Sequence, residues 1–101
     1  MKNKNYVISI IVCTYNHENT IEKCLSSLVN QILNVEYEII IGDDESKDQT
    51  SKICQEFKAN HRNIKYIKRD KNIGMINNFM DLILKSKGEF IAQCSGDDFW
   101  I

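Results

Sequence analysis

The feature that most constrains the fold is an almost unbroken run of apolar and β-branched side chains at residues 7–14 (VISIIVCT). Such a run, without the alternation of a half-exposed strand, is typical of a strand buried on both faces of a parallel sheet. Three shorter runs follow at residues 37–41, 64–67 and 90–94. The sequence therefore predicts an α/β fold with four strands in a parallel sheet that is flanked by helices.

Two segments with apolar residues at helical spacing lie between the first three runs. Asn19, with Glu22 three residues later, is a candidate cap for the first helix. A second helix is predicted to begin near Ser46 or Asp48 and to end at residues 60–63. The buried stripes are predicted to be Ile21, Cys24, Leu25, Leu28, Val29 and Ile32 in the first helix, and Ile53, Cys54 and Phe57 in the second.

A third helix is predicted between the last two runs. It follows a turn at residues 72–74, and Gly88 is placed to terminate it just beyond Lys87. The short connections between alternating strands and helices predict right-handed crossovers. In the third helix, the side chains predicted to share the buried face are Met75, Phe79, Leu82 and Ile83.

Composition limits the classes of function. The 101 residues carry 13 basic and 14 acidic side chains and are 43% hydrophobic, which fits a single soluble domain over residues 1–101. The absence of a basic block argues against a nucleic-acid partner, and no apolar run approaches the roughly 20 residues of a transmembrane segment. Residues 2–5 lack the features of a secretory signal, so we expect a cytoplasmic protein. Because the chain stops at Ile101, directly after two large apolar residues, we expect it to be a fragment of a longer protein.

Cysteine and histidine residues are scattered singly rather than in pairs with metal-ligand spacing. The cysteines are predicted to be reduced and buried, and the histidines to be solvated at a loop or a helix end rather than to bind a metal. These residues are Cys13, Cys24, Cys54, Cys94, His17 and His61.

Three polar clusters follow predicted strands and carry the candidate chemistry. If the strand order is 3-2-1-4, the winding direction reverses between strands one and four, and the three loops line the crevice at that point. Ligands of open parallel sheets bind at this position. The clusters are Thr14-Tyr15-Asn16, Asp43-Asp44 and Gly96-Asp97-Asp98.

Two pairs of adjacent carboxylates around one cleft are expected to repel each other unless a cation or a hydrogen-bonding ligand lies between them. Mg²⁺ or Mn²⁺ is suited to such oxygen ligands and completes its coordination with phosphate oxygens, so a nucleoside diphosphate is the natural co-ligand. The aromatic ring of Tyr15 offers a surface on which a base can stack. Each cluster taken alone also has a purely structural interpretation, as helix caps or turns.

Several phosphate-binding and nucleophilic motifs do not occur. The sequence has no GxGxxG or GxxxxGK[ST] loop and no GxSxG turn. These absences argue against a dinucleotide-dependent oxidoreductase and a P-loop NTPase. A metal ion is therefore expected to neutralise the phosphate charge.

Four ordered blocks resemble the amino-terminal half of a family 2 glycosyltransferase with the GT-A fold, a Rossmann-like nucleotide-binding fold. Together they cover nearly the whole chain, which makes the resemblance specific. The blocks are residues 8–18 (ISIIVCTYNHE), 38–48 (EIIIGDDESKD), 72–74 (NIG) and 88–100, which contains GEFIA and GDDFW.

The resemblance implies an inverting transferase that uses a nucleotide-sugar donor, with UDP-sugar as the family-level expectation, and a Mn²⁺ or Mg²⁺ ion. It implies a glycan or lipid-linked acceptor in polysaccharide biosynthesis, with a homodimer and a place at the inner face of the membrane left open. Carried over by position, Tyr15 lies against the base, Asp44 hydrogen-bonds it, Asp43 supports that loop, and Asp97 and Asp98 meet ribose and metal. The residues that shape the nucleotide pocket are Thr14, Asn16 and Glu18.

Three positions depart from the family pattern. Cys13 stands where the family commonly has Pro, and Ser95 replaces the first acid of the usual DxD motif, so metal ligation rests on Asp97 and Asp98. Asn77-Asn78 occupies the place of a common Arg-Asn pair, and Arg69 or Lys71 are candidates to supply the missing cation. The family's catalytic base lies downstream of the acidic motif, so no residue of this chain is named as the base.

The alternative from another functional class is a non-enzymatic, Mg²⁺-binding receiver-like regulatory domain. A receiver requires an Asp pair after the first strand and a phospho-acceptor Asp after the third. Thr14-Tyr15-Asn16 and Lys68-Arg69-Asp70 stand there instead. A sugar-nucleotide pyrophosphorylase requires a Gly- and Arg-rich loop after the first strand, and the sequence has none.

Overall fold

The computed structural model describes residues 6–31 and 34–101. Its elements are β1 (Ile8–Thr14), α1 (Ile21–Val29), β2 (Tyr37–Asp43), α2 (Thr50–Asn60), β3 (Ile64–Lys68), α3 (Met75–Lys85) and β4 (Phe90–Gln93). All strand pairs are parallel and the strand order is β3-β2-β1-β4. The predicted α/β class and strand order are confirmed. Within the described residues, the helices are too short or too polar to cross a bilayer.

The register of the sheet aligns the strand ends. Thr14 of β1 pairs with Asp43 of β2, which pairs with Lys68 of β3. β4 pairs with β1 from Ile8 to Ile11, and the chain beyond it stays alongside β1, because the Gly96 N–H donates to the Cys13 carbonyl at 3.0 Å. The loops that follow β1, β2 and β4 therefore meet at one edge of the sheet.

Both faces of the sheet are covered, as the long apolar run at residues 7–14 predicts. Ile10 and Val12 point into a core shared with α1 and α2, whereas Ile11 and Cys13 pack with Leu82 of α3 on the opposite face. The prediction of reduced, buried cysteines is confirmed, since all four are free and buried.

Two helix starts differ from the sequence prediction. Asn19 does not cap α1; it lies in a turn in which the N–H groups of Thr20 and Ile21 donate to the His17 carbonyl, so the helix starts at Ile21. α2 begins at Thr50, later than predicted, because the Asp48 carboxylate accepts the Thr50 N–H from outside the helix. Ile32 of the predicted first stripe lies outside the described residues.

The predicted end of the third helix is also wrong. α3 ends at Lys85, and Ser86 leaves it in an extended conformation. Gly88 instead lies against β1, where its N–H donates to Ser9 Oγ at 2.7 Å and a Cβ would sit 2.5 Å from the Ser9 nitrogen. Met75 is not on the buried face, since it is 71% exposed.

A buried carboxylate lies at the opposite end of the sheet from the acidic loops. Glu38 is fully buried and accepts hydrogen bonds from Ser9 Oγ at 2.6 Å, the Lys87 N–H at 2.7 Å and Lys65 Nζ at 2.9 Å. Burial alone would raise the pKa of Glu38, but these hydrogen bonds hold it below its usual range. Glu38 therefore fastens the α3–β4 connection to the sheet.

Candidate functional site

A cleft of about 440 Å³ opens at the carboxyl ends of β1, β2 and β4. It lies at the predicted reversal point between β1 and β4, where open parallel sheets bind ligands. All three predicted polar clusters contribute to it. Its lining residues are Cys13, Thr14, Tyr15, His17, Asp44, Asn72, Gly74, Met75, Asn78, Ser95 and Asp97.

Tyr15 is the most accessible cleft residue of the β1–α1 loop. Its side chain lines the cleft and is 45% exposed, which leaves a free aromatic face. Thr14 also lines the cleft, but it is buried and its hydroxyl lies 2.9 Å from His17 Nδ1. The β1–α1 loop therefore gives the cleft one accessible aromatic ring, that of Tyr15, next to the buried side chain of Thr14.

Asn16 and Glu18 bind protein rather than line the cleft. Asn16, in a left-handed conformation with φ 55°, accepts the Lys47 N–H on Oδ1 at 2.8 Å. Glu18 Oε1 accepts the Gln49 N–H at 3.0 Å. Both residues hold the β1–α1 loop against the β2–α2 loop, so any effect they have on the cleft acts through the backbone.

Asp43 points away from the cleft. It is fully buried, and its two carboxylate oxygens accept the Ser46 N–H at 2.9 Å and the Tyr66 hydroxyl at 2.6 Å. Burial, together with the Asp43 carboxylate, raises the pKa of Tyr66 well above its usual value, so the phenol stays protonated and donates. Asp43 thus fastens the β2–α2 loop to β3.

Asp44 lines the cleft but is also engaged with protein. It is 4% exposed, and Oδ1 and Oδ2 accept the N–H groups of Ile73 and Gly74 at 2.7 and 2.9 Å. Gly74 has φ 89° and directly precedes α3, so the carboxylate closes the start of that helix. Each carboxylate oxygen can accept a second hydrogen bond, which leaves Asp44 able to bind a ligand group in the cleft.

The residues that follow β4 form an acidic loop, residues 95–100. Asp97 and Asp98 are both exposed. Asp97 lines the cleft; a hydrogen bond from Ser95 and the nearby His17 hold the pKa of Asp97 below its usual range, so it is ionised near neutral pH. Asp98 accepts the Phe99 N–H at 2.8 Å and is not among the lining residues.

The expectation of two acidic pairs facing one cleft is therefore wrong. One member of each pair, Asp44 and Asp97, lines it, since Asp43 is turned into the protein and Asp98 lies beside it. Within residues 6–31 and 34–101, no three His, Cys, Asp or Glu side chains are grouped so as to hold a metal ion. A cation at Asp97 and Asp98 would need further oxygen ligands from a bound molecule.

Arg69 does not supply a cation to the cleft. Nη1 contacts Asp81 Oδ2 at 2.6 Å and Nη2 donates to Asn78 Oδ1 at 3.0 Å. Asn78, which is 1% exposed, in turn donates to the Gly42 carbonyl at 2.9 Å. Arg69 and Lys71 are both absent from the lining residues, so neither replaces the missing family arginine in this arrangement.

His17 is a cleft residue that the sequence interpretation missed. It was expected to be solvated, but it is half-buried, lines the cleft, and donates its own N–H to Thr50 Oγ1 at 2.8 Å. Gly96 packs tightly against it: a Cβ at Gly96 would lie 2.5 Å from Thr14 Oγ1 and 2.6 Å from His17 Nδ1. The position of His17 directly after Tyr15 and Asn16 is the signal that could have identified it.

Comparison with known families decides between the competing interpretations. The model of Glycosyl transferase family 2 matches residues 9–101. This chain belongs to glycosyl transferase family 2. The receiver-like alternative is thereby set aside, and the resemblance to family 2 glycosyltransferases is confirmed.

Two relatives of this family 2 chain are several times longer than the chain itself. It is 41% identical over 96 residues to the poly(ribitol-phosphate) beta-glucosyltransferase of Bacillus spizizenii, covering 91% of this chain and 15% of that protein. It is 35% identical over 94 residues to the chondroitin synthase of Escherichia coli, covering 92% of this chain and 13% of the synthase.

Solved glycosyltransferase structures share the fold. Residues 1–349 of Staphylococcus aureus TarS in complex with UDP-GlcNAc superpose with a TM-score of 0.83 at 32% identity, over 92% of this chain and 27% of that 1–349 chain. The Pyrobaculum calidifontis mannosyltransferase in complex with GDP-Man and Mn²⁺ gives a TM-score of 0.83 at 20% identity, over 96% of this chain and 29% of that chain, and shows the fold alone. The GT-A fold of this family 2 glycosyltransferase chain is confirmed.

Proposed function

We propose that this chain is the donor-binding domain of a longer glycosyltransferase, which transfers a sugar from a UDP-sugar to a glycan or other acceptor with inversion and with the help of a divalent cation. The observation that carries the proposal is the convergence of Tyr15, Asp44 and Asp97 on one cleft. The similarity to TarS, whose structure holds UDP-GlcNAc, supports the choice of donor.

The base is proposed to bind between the first two loops. Tyr15 provides an exposed aromatic face for stacking. Asp44, fixed by the N–H groups of Ile73 and Gly74, directs its remaining lone pairs into the cleft, where they accept the imide N–H of uracil. Cytosine has no such donor, so this position favours uridine over cytidine.

The ribose and diphosphate are proposed to bind on the acidic loop. Asp97 is ionised and lines the cleft, so it is suited to accept a hydrogen bond from a ribose hydroxyl. The adjacent Asp98 carboxylate is exposed. These hard oxygen donors fit Mg²⁺ or Mn²⁺, and Asp97 and Asp98 would hold it. When bound, such an ion neutralises the diphosphate charge and stabilises the departing nucleoside diphosphate.

The acceptor and the catalytic base are assigned to other parts of the protein. We name no catalytic base among the described residues. Asp43 and Glu38 are buried in protein contacts, and Asp44 is proposed to bind the nucleobase. The names of the relatives, a poly(ribitol-phosphate) beta-glucosyltransferase and a chondroitin synthase, support a glycan or a polyol-phosphate polymer as the acceptor class.

Titration calorimetry on the intact protein tests the proposal. UDP is titrated with Mn²⁺ and again with a chelator, and CDP serves as the matched ligand. We expect UDP to bind at least tenfold more tightly with Mn²⁺, and more tightly than CDP. Equal affinity in the presence of the chelator would contradict the role of the cation, and no preference for UDP would contradict the placing of the base.

A further inference from the structure

The acidic loop is held within itself by short-range contacts: Asp98 accepts the Phe99 N–H at 2.8 Å, and Ser95 hydrogen-bonds to Asp97. Its two carboxylates are exposed, and within the loop the Asp98 N–H donates to the Ser95 carbonyl at 2.9 Å. A short exposed turn has many accessible conformations, and a ligand pays for selecting one of them. The orientation of Asp97 and Asp98 therefore also depends on what holds the backbone on either side of the pair.

Helix α1 and Thr20, the residue directly before it, supply contacts on both sides of the acidic pair. Before the pair, the Thr20 hydroxyl donates to the Gly96 carbonyl at 3.0 Å. After the pair, Ser27 Oγ accepts the Trp100 N–H at 3.0 Å. Thr20 and Ser27 are seven positions apart, so they lie on the same side of the helix and its N-terminal turn.

The hydroxyl of Ser27 has a fixed direction. Its single proton is donated to the Cys24 carbonyl at 2.7 Å, which leaves a lone pair for the Trp100 N–H. Trp100 also packs against the core cluster beneath α1. The chain immediately after Asp98 is therefore anchored by both a hydrogen bond and apolar contact.

Two further contacts join the same surfaces. Cys24 Sγ lies 3.5 Å from the Ser95 carbonyl oxygen, and Lys23 Nζ lies 3.8 Å from the centroid of the Phe99 ring. We infer that this side of α1 is a platform that positions the acidic loop, and that Thr20 and Ser27 are positioning residues for the cation-dependent part of donor binding. This inference rests on the proposed function.

The chain offers a matched control for Ser27. Ser26 is the preceding residue of α1 and is half-buried like Ser27, but its side chain makes no hydrogen bond to the described residues of the acidic loop. Ser27→Ala and Ser26→Ala therefore make the same chemical change at neighbouring positions. Ser27→Thr keeps the hydroxyl and serves as the rescue variant, and Thr20→Val removes the other anchor.

UDP affinity is measured by calorimetry on the intact protein with Mn²⁺ and with a chelator. Ser27→Ala is expected to weaken binding with Mn²⁺ about fivefold, because the loop spends less time in the binding conformation. Binding with the chelator is expected to weaken less, because only the ribose contact of Asp97 then depends on the loop. Thr20→Val is expected to act in the same way. Ser26→Ala and Ser27→Thr are expected to stay within about twofold of the wild type.

Equal behaviour of Ser27→Ala and Ser26→Ala would overturn the inference, and so would an equal loss with and without Mn²⁺, which would indicate general destabilisation. If Mn²⁺ does not raise the UDP affinity of the wild type, the proposed function fails. Amide hydrogen exchange of Asp98 and Trp100 in the free protein then tests whether α1 positions the acidic loop. Faster exchange in Ser27→Ala than in Ser26→Ala supports it, and identical exchange overturns it.

Discussion

This chain has two Asp-Asp pairs near the carboxyl ends of β-strands, one at the end of β2 and one beyond the end of β4, and they differ in burial. Asp43 and Asp44 are buried, and all four of their carboxylate oxygens accept hydrogen bonds from protein. Asp97 and Asp98 are exposed. The first pair is held by protein donors, with only Asp44 reaching the cleft, whereas the carboxylates of the second pair are exposed to solvent.

The difference follows from where each pair lies relative to the sheet. Asp43 is still part of β2 and pairs with β1 and β3, so its side chain is enclosed by neighbouring strands. The acidic loop begins beyond the end of β4, which pairs with β1 alone. A carboxylate in an interior strand must be matched by donors, while one beyond an edge strand stays solvated.

The largest expected effect is on the stability of the β2 pair. Asp43→Ala removes the acceptor of the buried Ser46 N–H and one acceptor of the half-buried Tyr66 hydroxyl, whose other acceptor is Ser51 Oγ at 2.8 Å. We expect the free energy of unfolding to fall by about 3 kcal/mol. Urea denaturation measures it, with Asp98→Ala as the control that stays within about 0.5 kcal/mol. Equal losses in the two variants would remove the distinction between the loops.

Ligand binding should show the reverse pattern. Asp98→Ala is expected to abolish the gain in UDP affinity that Mn²⁺ provides, and Asp97→Ala to reduce it at least tenfold, while the unliganded fold keeps its stability. Calorimetry with and without a chelator measures the gain, and thermal denaturation checks the fold. A sharp drop in melting temperature with binding intact would make these carboxylates structural.

Base selection sharpens the comparison within the β2 pair. Asp44→Asn places an amide group against the N–H groups of Ile73 and Gly74 and weakens the acceptor for an imide N–H. We expect the UDP-to-CDP affinity ratio to fall about fivefold, from a hydrogen bond worth roughly 1–3 kcal/mol. Tyr15→Ala is expected to weaken both ligands equally. An unchanged ratio in Asp44→Asn would assign base reading to another group.

The smallest expected effect is a change in titration. Because a hydrogen bond from Ser95 and the charge of His17 lower the pKa of Asp97, its ionised form adds stability that is complete above the usual Asp pKa of about 3.9 and is lost as the pH falls through the lower folded-state value. Ser95→Ala is expected to raise the pKa of Asp97, as followed by NMR of its carboxyl carbon. A pKa that does not move would mean that Ser95 does not support Asp97.

The sequence predicts the sheet well because its signal is strong and local. The long apolar run of β1 is compatible with an interior strand of a parallel sheet, and the polar clusters then fall at one edge. The separate fates of Asp43 and Asp44 are not predictable from their order, because they depend on Tyr66 and on the backbone at residues 72–74, both distant in sequence. Gly88 is similar: its role as a close neighbour of Ser9 exists only once β1 and β4 are paired.

A crystal structure of the intact protein with UDP and Mn²⁺ would show where the nucleotide binds, and the anomalous signal of manganese would locate the ion. We predict that the ion is ligated by Asp98 or Asp97 together with diphosphate oxygens, that uracil lies on Tyr15, and that Asp43 still accepts the hydrogen bond of the Tyr66 hydroxyl. An ion bound by Asp43 or Asp44, or a nucleotide bound outside this cleft, would contradict it.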